Sequence, residues 1–222
     1  MGRTAPPKQS KDPLSRDRIE LAALELIEAE GLAAFSTRKL AARLGYEAMS
    51  IYHYFPSKGH LMDALIDHVI GELPPFPDAS LPWLGRVRAL GRDVRHAFTR
   101  RPNLFVFVGT HRMNTPRALA FLDRSIALFE ERLPHELAVR VFRSVSYYVM
   151  GASLDETAGY ARGPSTVEPV SEDAMLREYP SVAAAGKFFK PSDFDETFEL
   201  GWELMLTGIA ALAKRFEERS GR

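Results

Sequence analysis

Between Phe198 and Phe216 the large apolar residues recur every three or four positions: Phe198, Trp202, Met205, Ile209, Leu212 and Phe216. A strand would scatter such a row over both of its faces, whereas an α-helix gathers it on one side over about five turns. The same spacing returns along most of the chain. Leu84, Val87, Val94 and Phe98 mark a helix stopped near Arg101-Pro102, and Asn103 to Gly109 forms a short apolar piece. Leu119, Leu122, Ile126 and Phe129 mark another helix, closed by Pro134, and Ala138, Val141, Val145, Tyr148 and Ala152 a long one. No convincing alternating segment and no internal repeat accompanies them, so the chain is expected to be all-α, with about nine or ten helices.

The clearest boundary is "LPPFPDASLP", residues 73–82, where four prolines in ten positions cannot continue a helix. It separates an N-terminal domain, 15–75, from a larger one, 76–222. Residues 159–191 carry Gly159, Gly163, Pro164, Pro169, Pro180 and Pro191 and are expected to be a long connection with one helical turn near Glu172–Glu178. Residues 1–14 lack periodicity and are expected to be a disordered basic tail; Arg3, Lys8, Lys11 and Arg16 face only Asp12 within the first 16 residues.

The 222 residues carry 29 basic and 29 acidic side chains, so net charge alone points to no polyanion. There is no cysteine, which removes disulfides and thiolate chemistry, and no apolar run approaches the roughly 20 residues that cross a bilayer. A cytoplasmic protein without membrane contact is expected.

In the N-terminal domain Ser15 suits the N-cap of a helix over Arg16 to Glu30, with Ile19, Ala23, Leu26 and Ile27 on one face and Gly31 as the stop. Ser36 or Thr37 then caps a short helix carrying Leu40, Ala41 and Leu44. Gly45 allows a sharp turn, and a third helix is expected over Glu47 to Tyr54, a fourth over about 57–73. In the third, Ile51 and Phe55 share one side while Ser50, His53 and Tyr54 share the other, with Tyr46 and Glu47 one turn earlier. Two helices joined by a tight turn and packed on a first describe a helix-turn-helix. Hydroxyls, an imidazole and a phenol suit base edges in a major groove, which admits one α-helix. Thr37, Arg38 and Lys39 open the preceding helix and Lys58 begins the following one, so cations flank that face. The same residues are also compatible with a protein-binding helical hairpin.

The stretch "AALELIEAEGLAAFSTRKLAARLGYEAMSIYHYFPSKGHLMDAL" resembles the DNA-binding domain of the TetR family of bacterial transcriptional repressors. Gly31, Thr37-Arg38-Lys39-Leu40-Ala41, Leu44-Gly45, Ile51-Tyr52, Phe55 and Ser57-Lys58 with Leu61 carry the likeness over about 50 residues. The resemblance implies phosphate contacts for Thr37, Lys39, Tyr52 and Lys58. It implies base contacts for Arg38, Ala48, Ser50 and His53, and either kind for Tyr54. Gly59 and Tyr46 depart from the family pattern, which has an acidic residue and a small aliphatic one there. Tyr46 and Glu47 complete the expected contact set.

Residues 198–212, "FELGWELMLTGIAAL", and the Arg101-Pro102 stop resemble the C-terminal domains of the subgroup nearest the tetracycline repressor. That implies a homodimer through helices near 136–158 and 193–217, where Gly151, Ala152, Gly201, Gly208, Ala210 and Ala211 would permit close approach. Those small residues are equally able to pack within one chain. It also implies a small-molecule effector pocket, with Trp83, His96, Asn103, Phe107, His111, Met113, Phe129, Tyr147, Tyr148, Met150 and Trp202 as candidates. The expected function is a ligand-responsive repressor that binds a palindromic operator in double-stranded DNA and releases it on binding the effector.

Catalysis is not expected. The six histidines, at 53, 60, 68, 96, 111 and 135, show no HExxH spacing, and no phosphate loop, nucleophile elbow or carboxylate constellation appears. No cofactor and no metal is expected.

Overall fold

The computed structural model describes residues 13–111, 113–158 and 166–221; the expected tail at 1–14 lies almost wholly outside them. Among the described residues the chain has eleven α-helices and no strand. They are α1 Arg16–Glu30, α2 Thr37–Leu44, α3 Ala48–Tyr52, α4 Lys58–Gly71, α5 Trp83–Thr99 and α6 Pro102–Thr110. They continue as α7 Pro116–Glu130, α8 His135–Ala158, α9 Glu172–Glu178, α10 Pro180–Ala185 and α11 Phe194–Ser220.

Two compact units divide between Leu65 and Ile66, inside α4. In the first, α1 begins at Ser15, whose hydroxyl accepts from the Arg18 N–H, and stops at Gly31. A short 3-10 turn, Leu32–Ala34, follows and was not legible as a separate element. Ser36 caps α2, accepting from the Lys39 N–H at 3.2 Å. Ile19, Leu24, Ile27, Leu40, Ile51, Phe55, Leu61 and Leu65 are fully buried there. Burying each such side chain contributes roughly 1.5–3 kcal/mol.

The third helix is shorter than its expected range of 47–54. Glu47 supplies no side-chain cap, and beyond Tyr52 the Tyr54 and Phe55 N–H groups both donate to the Ile51 carbonyl, at 3.0 and 2.9 Å. Pro56 follows, and the residue before a proline is pushed to extended backbone, so the helix cannot run on.

In the second unit, Val87, Leu128, Phe129, Val141, Val145, Val149, Phe198, Trp202, Leu206 and Ile209 form one core among α5, α7, α8 and α11. Tyr148, Phe198 and Trp202 stack at centroid distances of 5.5 to 5.9 Å. Gly91 lets α5 come close: a Cβ there would lie 2.2 Å from the Trp202 ring. The Arg95 guanidinium sits 4.4 Å from the Phe198 ring centroid and joins Glu156 of α8 to Asp195 of α11.

Of the segment expected as a connection with one helical turn, 159–165 lie outside the described residues; the rest holds α9 as that turn, then α10 and two 3-10 turns, Gly186–Phe189 and Pro191–Asp193. Pro180 and Pro191 start elements here because a proline is tolerated at a first helical position. These short pieces account for the helices beyond the expected nine or ten.

Candidate nucleic-acid interface and ligand cavity

In the first unit Gly45 makes the turn between α2 and α3. Its φ of 76° and ψ of 30° are left-handed, a conformation glycine adopts without Cβ strain, and its N–H closes α2 on the Ala41 and Ala42 carbonyls. Tyr46 is half-buried, with its N–H on the Ala41 carbonyl at 2.9 Å. From there α3 buries Ile51 and leaves Met49, Tyr52 and His53 exposed. Glu47 and Arg38 are exposed, and Ala48 and Ser50 half-exposed.

Four of the candidate contacts have partners within the unit. The Thr37 and Tyr52 hydroxyls lie 3.0 Å apart, joining the start of α2 to the end of α3. The Lys58 ammonium approaches the Phe35 carbonyl at 3.4 Å and stands 5.4 Å from the Phe35 ring centroid. Lys39 is ion-paired with Glu30 at 2.7 Å, a contact exposed enough to be exchanged for a phosphate.

Tyr54 differs from its expected place on the outer face. Its hydroxyl donates to the Leu14 carbonyl at 2.6 Å, and its own carbonyl accepts from Arg16 at 2.7 Å. The Arg16 guanidinium also covers the Phe55 ring at 4.3 Å. Tyr54 therefore anchors the end of α3 back to the start of α1. The role of Arg16 was missed, because a cation at a helix start carries no sequence mark of such a contact.

In the second unit α4, α5, α6, α7 and α8 enclose a cavity of about 280 Å³. Val69, Ile70 and Leu73 come from α4 and the turn after it; Leu90, Val94, Ala97 and Phe98 come from α5. Phe121, Leu122, Ser125 and Phe129 come from α7, and Phe142, Arg143, Ser146, Tyr147 and Met150 from α8. Of the eleven candidate pocket residues, His111, Met113, Phe129, Tyr147 and Met150 line this cavity. Phe107 packs against His111, with ring centroids 4.5 Å apart and the rings tilted by 40°.

The remaining five lie elsewhere. Trp202 is fully buried in the core, and Trp83 donates to the Leu128 carbonyl at 2.6 Å. Tyr148 donates to the Phe198 carbonyl at 2.7 Å, and burial pushes its phenol up from the ordinary value. His96 and Asn103 are exposed on α5 and α6. Most of the cavity wall was missed because residues such as Val94 and Phe98 read as ordinary core stripe. A helix with apolar residues on more than one face was the available signal.

Polar links hold the second half of α4 to the cavity's frame. The Thr115 hydroxyl, which caps α7, donates to the Asp67 carboxylate, and Arg117 donates to the Asp67 carbonyl at 3.0 Å. Arg101, at the start of α6, grips the Glu72 carboxylate with Nε at 2.9 Å and with Nη2. That hydrogen bond holds the Glu72 carboxyl below the ordinary carboxylate value. Among the described residues no group of three or more histidines and carboxylates could hold a metal, and no helix is long and apolar enough to cross a membrane.

Residues 20–65 match the model for bacterial regulatory proteins of the tetR family, and residues 76–213 that for the tetracyclin repressor-like C-terminal domain. The tetracycline repressor protein class A from transposon 1721 of Escherichia coli is 31% identical over 204 residues, covering 89% of this chain and 91% of that one. A crystal structure of a possible TetR family transcriptional regulator from Streptomyces coelicolor A3(2) superposes with a TM-score of 0.72 and 30% identity, over 89% of this chain and 100% of that one. The Streptomyces coelicolor TetR family protein ActR in complex with actinorhodin superposes with a TM-score of 0.69 and 25% identity, over 91% and 99%. This chain therefore belongs to the TetR family of transcriptional regulators, non-enzymatic proteins that bind DNA as dimers.

Proposed function

We propose that the protein is a repressor in the bacterial cytoplasm that binds a palindromic operator as a homodimer and releases it when a small molecule enters the cavity of the second unit. The observation that carries this reading is the composition of α4. Its first half buries Leu61, Met62 and Leu65, and its second half supplies Val69 and Ile70 to the cavity wall. A ligand that spreads the cavity must act on a helix to which α3 is joined by only five residues.

Operator contacts fall to Thr37, Arg38, Lys39, Tyr46, Glu47, Ala48, Ser50, Tyr52, His53 and Lys58, with Tyr54 anchoring the end of α3 to the start of α1. Dimerisation runs through α8 and α11, near 136–158 and 193–217. The outer side of α11 supports this: Leu200 and Leu204 are 66% and 68% exposed, and Gly208 and the exposed Ala211 continue the row at four- and three-residue spacing. Apolar side chains at that spacing form a helix-packing face. Gly151 and Gly208 face open space, whereas Gly201 is filled by Tyr148 of the same chain and drops out of the set expected to admit a partner.

Coupling follows from linkage: ligand and DNA lower one another's affinity by the same factor, typically about 5–150-fold. The Asp67–Thr115 and Glu72–Arg101 links are the routes by which α6 and α7 can carry cavity expansion to α4. Footprinting on the DNA flanking the protein's own gene tests the reading. Two protected half-sites about 34–36 Å apart are expected, since a two-fold dimer places two α3 helices one turn of DNA apart. A footprint without dyad symmetry, or none, overturns it. Lys58→Ala should flatten the dependence of log affinity on log salt by about one unit for each lost phosphate contact.

A further inference from the structure

We infer that the cavity selects an apolar aromatic acid, bound with its ring system inside and its acidic group at the mouth against Arg143. This rests on the reading of the cavity as the effector site and names the chemical class it takes.

The interior fixes the orientation. Phe98, Phe121, Phe129 and Phe142 line it, and rings of this kind favour an aromatic guest through edge and offset contacts. Its two hydroxyls are already committed. Ser125 donates to the Phe121 carbonyl at 2.7 Å, and Ser146 to the Phe142 carbonyl at 2.8 Å. Each hydroxyl has one hydrogen, so both turn only lone pairs toward the cavity. They can accept from a phenol or an amine of the guest, and they repel a carboxylate or sulfonate. An anionic group placed beside them would be buried without a donor from either hydroxyl, at a cost of several kcal/mol.

The mouth has the opposite character. Arg143 and Tyr147 are both exposed on α8, with the Arg143 Nη2 donating to the Tyr147 hydroxyl and the guanidinium 5.5 Å from its ring centroid. That bond leaves the phenol hydrogen and the remaining guanidinium hydrogens available to an oxyanion. Among the described residues no carboxylate lines the cavity, so Arg143 is its sole fixed charge. A cation would be repelled, a neutral guest would gain at most a hydrogen bond from it, and an acid would be both attracted and aligned.

Two fluorescent probes of nearly the same body test this on the full-length protein. 1-Anilinonaphthalene-8-sulfonate carries an acidic group and N-phenyl-1-naphthylamine does not. Arg143→Gln should weaken the sulfonate probe about fivefold and change the neutral probe by less than about twofold, the scale of one exposed charge contact. Arg143→Lys should restore most of the loss. If Arg143→Gln weakens both probes equally, or neither, the acid class is overturned while the cavity stands as effector site. Ala97→Phe, and Leu122→Phe from the facing helix in case the first does not fold, should abolish binding of both probes. Unchanged binding of both to a folded wall variant overturns the cavity itself.

Discussion

The hydroxyls of Thr37 and Tyr52 meet at 3.0 Å across the turn of the helix-turn-helix, tying the first residue of α2 to the last of α3. Both are proposed phosphate contacts, so one oxygen pair that joins the two helices would also face the DNA backbone. Tyr52→Phe removes the shared hydrogen bond and leaves the ring. Because the pair is exposed, the loss in stability should be about 0.5–1 kcal/mol, read as a shift of the urea midpoint without a change of slope. Operator and random duplex should weaken by the same factor in anisotropy titrations. Selective loss on the operator would mean that Tyr52 reads bases.

Base preference should instead follow Ser50 and His53. Ser50 is half-exposed and His53 exposed, while Ile51 between them is fully buried, so α3 and the residue that caps its end offer these two side chains outward. Ser50→Ala and His53→Ala should each relax or change the preferred base at one operator position, a cost of about 1–3 kcal/mol against the wild-type site. Selection from a randomised duplex pool reads this directly. An unchanged consensus for both variants would place the reading face elsewhere.

The all-helical fold and the capped helices of the first unit were legible because their signals are local. Ser15, Gly31, Ser36 and Gly45 mark element ends by themselves, and the observed α1 runs over the expected residues. Tyr54 was not legible as an inward anchor, since its partner is a backbone carbonyl at Leu14, 40 residues earlier. The cavity suffered in the same way. Phe98 or Phe142 facing a void has the same spacing as one facing a neighbour, and only the packing of α4, α5, α7 and α8 distinguishes them. Arg143 and the two committed serines carry no motif, so the polarity of the cavity appears only in three dimensions.

Glycines separate packing within the chain from packing between chains. A Cβ on Gly201 would fall 2.2 Å from the Tyr148 hydroxyl, and one on Gly91 2.2 Å from the Trp202 ring, whereas Gly151 and Gly208 have nothing within 4 Å. Gly201→Ala should therefore destabilise the protein by about 1–3 kcal/mol through overpacking, lowering the thermal midpoint. Gly208→Gln should leave the folded protomer intact and obstruct close approach of a second α11. Sedimentation velocity should show a monomer with native circular dichroism. A Gly208→Gln dimer as tight as wild type would remove α11 from the interface.

The Glu72–Arg101 link predicts a pH dependence with a definite sign. Hydrogen bonding to Arg101 lowers the folded-state pKa of Glu72 below its ordinary 4.5, with burial opposing and the nearby cations reinforcing. A depressed carboxylate contributes stability that is fully present above the unfolded value and lost as pH falls through the folded one. The window for the carboxylate therefore lies below about pH 4.5. In that window Glu72→Gln should reduce the fall in urea midpoint on acidification, because the substituted amide does not titrate. At pH 7 it should be less stable than wild type and should weaken the coupling of α4 to α6. Operator titration with and without a bound cavity ligand reads that second effect as a smaller ratio of the two affinities. Equal acid slopes in wild type and Glu72→Gln would show that the carboxylate is not held in solution as it is in the fold.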